Sequence, residues 1–378
     1  MSTNNLFTKC VHSGEITDTQ FKGAVSPIFM ATSYAYFDVD QLRYPRYFNT
    51  PNQEAIGKKI ADLEGAEAGL PFASGMAAIS NTLLAFLQKG DHIVLQKDIY
   101  GGAFHFAEET LEKYGIEYSF TKGIEIADFQ REIQSNTRMI YCETPSNPLL
   151  KIVDIKAIAK LAKKHQLISV VDNSFASPIN QNPIALGMDI VIHSATKYLG
   201  GHSDLLAGVV VSSKENIDII FQTGKNFGGN LSHFISYLLE RSIKTLAIRI
   251  KKHNKNAKSV AKFLAKHPKV SKVYYPGLKT HPNHKIAKKQ MQGFGGMLSF
   301  ELQKGIDPKE FQKKLKLIKP SLSLAGVEST ILQPAETSHK LIGKEKRKEQ
   351  GVSDALLRLS VGIENKTDLI NDLKQALQ

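Results

Sequence analysis

A single lysine flanked by two hydroxyls closes a short β-branched run in the stretch Asp189-Ile-Val-Ile-His-Ser-Ala-Thr-Lys-Tyr-Leu-Gly-Gly-His-Ser203. Ile190, Val191 and Ile192 lead into Ser194, Thr196 and Lys197, and a Gly200-Gly201 turn follows. Hydroxyls beside one amine at the end of a buried strand suit a phosphorylated aldehyde: the hydroxyls hold the phosphate and the amine forms a Schiff base. An apolar strand before it and glycines after it place Lys197 away from the solvated setting of most lysines. Desolvation there lowers its pKa and makes the amine nucleophilic.

Other residue sets sit at comparable places. Ser74-Gly75-Met76 follows one apolar run and opens a helical pattern. It reads either as an anion site at a helix N-terminus or as a plain Ser74 N-cap. Asp172 ends Leu167-Ile-Ser-Val-Val171, and a carboxylate there must be paired. A protonated pyridine nitrogen is one partner, an N-cap or an arginine the other. Tyr100-Gly101-Gly102 offers a ring that could stack on a flat ligand, or a turn without function. Glu143-Thr-Pro-Ser-Asn147-Pro148 either presents Asn147 to a ligand or forms a rigid surface turn. Arg358 interrupts the apolar run Ala355 to Val361 and needs an anion, from a substrate carboxylate or a structural ion pair.

The elements that must position these residues alternate. Helices are expected over Gln53–Leu63, from Ser74 to about Leu87, and over Gly101–Lys113 and Asp154–His165. Strands are expected over Leu70–Ala73, His92–Leu95, Met139–Cys142, Leu167–Val171 and Ile190–Ile192. Such alternation predicts an α/β fold with a mostly parallel sheet, and ligands then sit beyond the carboxyl ends of strands. Each candidate residue of the large domain follows such an end. Lys244–His267 reads as a long basic helix. Beyond it, strands at Gly296–Leu302 and Leu356–Val361 and helices at Pro308–Leu317 and Thr367–Leu377 predict a smaller α+β domain. The division is residues 1–52 as an arm contacting a neighbouring subunit, 53–245 as the large domain, and 246–378 as the small one. The first 52 residues are too aromatic for a disordered tail and too long for a structureless connection.

Composition excludes other classes. The net charge of +13 raises nucleic-acid binding, but the two densest basic runs, Arg249–Lys258 and Lys344–Lys348, lack interleaved aromatics and read as solvated helix faces. No nucleic-acid partner is expected. Two cysteines, Cys10 and Cys142, form no framework, so a cytoplasmic setting and no metal centre are expected. The start lacks a signal-peptide pattern, and no apolar run approaches the roughly 18 residues of a membrane span.

In this order, these residues resemble the cysteine/methionine-metabolism branch of the fold-type-I pyridoxal-phosphate (PLP) enzymes. That branch holds cystathionine γ-synthase, cystathionine β- and γ-lyases, methionine γ-lyase and O-acyl-homoserine sulfhydrylases. The likeness runs from about Val25 onward, and Asp189 to Ser203 matches the lysine signature throughout. It implies a large domain with a seven-stranded type of sheet, PLP as cofactor, a small sulfur amino acid as substrate, and a homotetramer built from dimers. It implies that Lys197 attaches the cofactor, Asp172 pairs with its ring nitrogen and Tyr100 stacks on the ring, with Lys197 and Tyr100 catalytic. Gly75 and Met76 amides with Ser194 and Thr196 would bind the phosphate, and Tyr44 and Arg46 would reach the phosphate of a neighbouring subunit. Asn147, Ser323 and Arg358 would handle the substrate carboxylate and the cofactor's O3′ side. The activity implied is carbon–sulfur lysis by β- or γ-elimination, with γ-replacement as the alternative.

The chain departs from that pattern in four places. Tyr47-Phe-Asn-Thr-Pro51-Asn52 replaces x-Gly-Asn-Pro-Thr, with one residue inserted. Ala103 stands where Thr usually follows Tyr-Gly-Gly, and His105 where the γ-synthase has an arginine for the distal end of its substrate. Leu322 replaces the Glu that holds the distal ammonium of cystathionine. An apolar residue there fits a shorter or less charged distal group and counts against a dedicated γ-synthase.

Overall fold

Four buried parallel strands carry expected residues at or just beyond their ends. The computed structural model describes residues 5–337, 340, 343, 345, 347 and 350–378. Lys344, Lys346 and Lys348 of the second basic run lie outside the described residues. The large sheet contains β1 (Ala68–Phe72), β2 (His92–Leu95), β3 (Glu117–Phe120), β4 (Thr137–Glu143), β5 (Ile168–Asp172), β6 (Ile190–His193) and β7 (Gly208–Ser212). Their order is β1-β7-β6-β5-β4-β2-β3. The run from β3 to β6 is parallel, whereas β7 is antiparallel to both β6 and β1. The inner strands are covered on both faces, which is why their sequences read as unbroken apolar runs rather than alternating ones. Strand β7 and the helices Lys214–Phe227 and His233–Ile243 were not anticipated in the reading above.

A second sheet holds β8 (Val270–Tyr274), β9 (Met297–Leu302), β10 (Lys319–Pro320), β11 (Thr330–Leu332) and β12 (Leu356–Ser360), in the order β10-β11-β12-β9-β8. Only β10 and β11 pair in parallel. Arg358 therefore lies on an inner strand, opposite Ser299 on β9 and Leu332 on β11.

Local chemistry sets the boundaries of the helices near the site. Helix α1 (Leu6–His12) lies inside the arm, where the sequence analysis placed no helix. Its Cys10 is fully buried, and the buried Lys59 ammonium donates to the carbonyls of Cys10 and Val11 at 3.2 Å each. A lysine on the last carbonyls of a helix satisfies groups that have no intrahelical partner. Helix α2 (Pro51–Glu64) starts two residues early because Thr50 and Gln53 form a capping box and Pro51 suits the first turn. Helix α3 (Gly75–Phe86) follows the Ser74 cap.

The helix expected over Gly101–Lys113 changes its winding. Helix α4 (Gly101–His105) passes into a π turn over Phe106–Leu111 and a 3-10 turn over Glu112–Tyr114. Ala103, Ala107 and Leu111 are all buried and fall four residues apart. An α-helix of 3.6 residues per turn would rotate that series off the core, and the wider turn keeps it facing inward.

The helix Leu246–Leu264 corrects one expectation. Its basic run is not wholly a solvated face, because Arg249, His253 and Asn256 are buried. They fall at helical spacing on the inward side. Arg249 donates to the carbonyls of Tyr198 at 2.7 Å, Leu199 at 3.3 Å and Ser242 at 2.9 Å. It thereby pins the backbone that follows Lys197.

The altered loop at 47–52 also has a physical account. Phe48 stands where the resembled pattern has glycine, and its backbone is left-handed, with φ 55°. Its ring is buried, meeting Phe72 edge-on at 5.1 Å and Phe221 at 6.4 Å. The burial offsets a backbone cost of about 1–2 kcal/mol. Phe48→Gly therefore loses more than it relieves. Thermal or urea unfolding should show the variant less stable by about 2–3 kcal/mol.

Among the described residues, no helix is long and apolar enough to cross a membrane, and no group of three or more His, Cys, Asp or Glu is placed to hold a metal ion.

Candidate active site

Four strand ends and one helix start meet at a cavity of about 300 Å³ beyond the carboxyl edge of the large sheet. Ser74, Gly75, Met76, Tyr100, Asn147, Asp172, Ser194, Thr196, Lys197, Ser323 and Arg358 all line it. These residues span the chain from position 74 to 358, and the fold brings them to one volume. Tyr44 and Arg46 do not line it. Arg46 lies over the rings of Tyr44 and Tyr47, at 5.8 and 5.5 Å, and donates to the carbonyl of Lys225 at 2.9 Å.

One wall is a helix start. The Ser74 hydroxyl accepts from the Ala77 amide at 3.0 Å, so Ser74 is the N-cap of α3 as the simpler reading held. The cap leaves the first turn directed at the cavity, since both Gly75 and Met76 line it. Gly75 is required by crowding: a Cβ there would lie 3.0 Å from the Ser194 side chain. Free N–H groups and the helix dipole at this point favour an anion. Thr196 is less available than the hydroxyls around it. Its Oγ1 donates to the Ala207 carbonyl at 3.1 Å and accepts from the Ala207 amide at 3.0 Å.

The opposite wall is a chain of polar contacts. Asp172 accepts from the Ser174 amide at 2.9 Å, and the Ser174 hydroxyl accepts from the Ser194 amide at 2.6 Å. The ends of β5 and β6 are thus tied together. Burial pushes the Asp172 carboxyl upward, opposed by the bonds to Ser174 and by His193 and Lys197. Glu143, at the end of β4, also lines the cavity. It accepts from the Tyr100 amide at 2.7 Å and the Asn147 amide at 3.2 Å. Burial first, and then the neighbouring Asp172, raise its carboxyl well above the usual range. Glu143 was not singled out from sequence, although its place at a strand end was a signal of the kind used for Asp172.

Lys197 and Arg358 converge on Ser323. The Lys197 amine donates to the Ser323 hydroxyl at 3.2 Å, and Arg358 donates to the Ser323 carbonyl at 2.9 Å and to Asn147 Oδ1 at 3.0 Å. Ser323 holds a left-handed backbone, φ 69°, which turns both of its oxygens toward these cations. Arg358 is buried with no carboxylate beside it, and its Nε has no hydrogen-bond partner. The structural ion pair considered above is absent among the described residues. A buried guanidinium of this kind is prepared for an incoming carboxylate. Burial, followed by the Arg358 charge, brings the Lys197 amine down to about 8.

The cavity also has an apolar side that sequence reasoning largely missed. Phe175, Leu206, Leu324 and Leu332 line it beside the expected Leu322. His105 does not line it, and its Nδ1 lies 4.0 Å from Glu108.

Comparison with known proteins agrees with this geometry. The profile described as Cys/Met metabolism PLP-dependent enzyme matches residues 7–378. The cystathionine β-lyase of Lactococcus lactis subsp. cremoris (strain MG1363) is 47% identical over 375 residues, covering 98% of either chain. The L-methionine γ-lyase of Fusobacterium nucleatum subsp. nucleatum is 41% identical over 392 residues, covering 100% of this chain and 99% of that one. The crystal structure of cystathionine γ-lyase from Lactobacillus plantarum complexed with L-serine superposes with a TM-score of 0.94 at 42% identity, covering 99% of this chain and 98% of that one.

Proposed function

The chain belongs to the Cys/Met metabolism family of PLP-dependent enzymes, and from that premise we propose that it cleaves a carbon–sulfur bond of L-cystathionine or a related sulfur amino acid by β- or γ-elimination. The observation that carries this reading is the convergence of the Lys197 amine and the unpaired Arg358 guanidinium on Ser323.

The residues present fit the cofactor. The α3 start with Ser194 suits its phosphate, Asp172 its protonated ring nitrogen, Tyr100 its face and Lys197 its aldehyde. Thr196 contributes as an acceptor-engaged neighbour, its hydroxyl proton already directed at Ala207. When bound, PLP supplies an electron sink for the pair left behind when a Cα proton departs. Asp172, as a carboxylate, keeps the ring nitrogen protonated. Arg358, with Asn147 and Ser323, binds the substrate carboxylate and so sets the Cα over Lys197. The Lys197 amine, once free, takes the Cα proton. For γ-elimination the same amine also removes a Cβ proton. Tyr100, half exposed, lines the same cavity, where its ring can stack on a flat ligand. Water then completes the reaction: cystathionine yields homocysteine, pyruvate and ammonia by β-elimination, or cysteine, 2-oxobutyrate and ammonia by γ-elimination.

Lys197 must lose its proton to attach an aldehyde. Its pKa near 8 gives the sign: the amine is cationic and inert below that value and nucleophilic above it. Covalent uptake of PLP by cofactor-free protein should therefore accelerate about tenfold per unit from pH 6 toward 8 and then level off. Stopped-flow absorbance against pH measures it, and a rate flat across that range contradicts the assignment.

The assembly proposed is a homotetramer. Phe21, Met30, Tyr36 and Phe37 of the arm are 80%, 62%, 69% and 70% exposed, an apolar surface that a neighbouring copy would cover. Tyr44 and Arg46 lie outside the cavity of their own chain, which is consistent with service to an adjacent one. The division into an arm (1–52), a large domain (53–245) and a small domain (246–378) is supported by the two separate sheets. The two cysteines, both buried and unbridged, agree with a cytoplasmic setting.

The test of activity is product analysis. Holoenzyme incubated with L-cystathionine should release a 2-oxo acid, pyruvate or 2-oxobutyrate according to the bond broken. A protein that acts only on an O-acyl-homoserine with cysteine or sulfide is a γ-replacement enzyme instead.

A further inference from the structure

The clamp on the substrate carboxylate joins two parts of the fold that share no strand. Arg358 stands on β12 of the small sheet, and its partner Asn147 follows β4 of the large one. Ser299, opposite Arg358 on β9, donates from its hydroxyl to the Pro148 carbonyl at 2.7 Å. The bond from Arg358 to Asn147 therefore depends on how β9 is seated against the large sheet.

Buried amides seat it. Gln290 ends the helix His284–Gln290, which leads into β9. Its Nε2 donates to the Val153 carbonyl at 3.0 Å and to Gln181 Oε1 at 3.1 Å, and its Oε1 accepts from the Ile155 amide at 3.3 Å. All three partners lie between β4 and β6 of the large sheet. Gln181 is itself buried, and its Nε2 donates to the Thr144 carbonyl at 3.0 Å and to Asn173 Oδ1 at 2.9 Å. Thr144 opens the loop that presents Asn147, and Asn173 follows Asp172. One side chain thus touches the backs of two segments that carry site residues, and through Gln290 the approach to a third.

Asn180 holds the same stretch further on. It exchanges two bonds with Asn254, at 2.8 and 3.2 Å, and Asn254 accepts from the Gly295 amide at 2.9 Å. The Gln292 amide donates to the Asn180 carbonyl at 2.7 Å. A Cβ at Gly293 would collide with the side chains of Asn180 and Asn254, so the stretch lies directly on them. These ties are uncharged, and each buried amide left unmade would cost its partner's desolvation. None of Asn180, Gln181 and Gln290 lines the cavity.

We infer, on the reading that Arg358 holds the α-carboxylate, that Gln181 and Gln290 are positioning residues for the clamp: they set the small sheet so that Arg358 meets Asn147 before substrate arrives. Binding groups must be held to within about 0.5 Å, and a displacement of about 1 Å can cost about 10²-fold. Losing one tie of several costs less, about tenfold.

Gln290→Leu removes the tie at a position only partly buried, where the fold should hold. Two ligands titrated into holoenzyme, and followed by the cofactor's visible absorption, give the readout. L-alanine has the α-carboxylate, and ethylamine is the same molecule without it. The dissociation constant of L-alanine should rise about tenfold in Gln290→Leu, and that of ethylamine should stay as in the wild type. Gln290→Glu, equal in length but without the two N–H donors, should repeat the result. Gln181→Met, close in shape but unable to make the bonds, should do so too. The resting absorption should be unchanged throughout, because Lys197 and Asp172 are untouched. L-alanine binding unchanged in the Gln290 variants, or both ligands weakened equally, would overturn the inference and leave these amides a role in stability alone. L-alanine binding to Arg358→Leu as tightly as to the wild type would instead sink the reading of Arg358 as the carboxylate ligand.

Discussion

Lys197→Ala holds no covalently bound cofactor and turns over at least about 10³-fold more slowly. The side chain is asked to do two things that no neighbour can do: attach the aldehyde, and then carry the Cα proton. Ser323, which accepts the one side-chain hydrogen bond that Lys197 makes among the described residues, is a hydroxyl and not a base. The fold should survive the change. A partly buried ammonium whose pKa is drawn down to about 8 is held at a cost, and its removal deletes one bond of 3.2 Å. Unfolding midpoints should therefore match the wild type while reduction with borohydride no longer fixes the cofactor to the protein. An active, visibly coloured Lys197→Ala protein contradicts the assignment.

Arg358→Leu separates binding from stability. Leucine fills much of the space, and the neighbours Leu357 and Leu359 already pack within the core of the small sheet. The guanidinium is buried, drawn down to about 10 by that burial, and has an Nε without a partner. Removing an uncompensated buried cation is neutral or stabilising, so the unfolding midpoint should hold or rise. Substrate capture should collapse, with kcat/KM down about 10²–10³-fold, mainly through KM, because a bidentate charged contact is lost. Covalent PLP should remain, since Lys197 is untouched. An unchanged KM means that the carboxylate is held elsewhere. Arg358→Lys is expected to rescue little, as an ammonium cannot make the paired contacts that the guanidinium fork makes to Asn147 and Ser323.

Strand ends were the legible part of this protein. Asp172 and Lys197 each close an apolar run, and such runs are conspicuous because strands covered on both faces have no polar alternation. The cap at Ser74 was equally readable, since capping depends on residues within four positions of one another. Strand β7 was lost, although Gly208–Ser212 is as apolar as the runs that were recognised. It enters the sheet antiparallel, without the preceding helix that marked the others. The inward turn of Arg249 was hidden for a related reason. A lysine- and arginine-rich helix looks solvated throughout until the carbonyls of Tyr198, Leu199 and Ser242 are placed against one side of it.

By itself, the sequence determined the residues of the chemistry: an amine after a β-branched run, a carboxylate at the end of another, an arginine in an apolar strand. These are local signatures, set by burial and by neighbours in the chain. Only the tertiary structure decided that Arg358 would have no carboxylate beside it among the described residues, that Ser323 would join it to Lys197, and that Leu206 and Leu322 would line the same space. Those facts depend on two sheets meeting across more than a hundred residues of chain, and no local pattern encodes a contact between segments so far apart. The clamp of Arg358, Asn147 and Ser323 is written in such contacts, whereas the lysine that begins the reaction is written in its own strand.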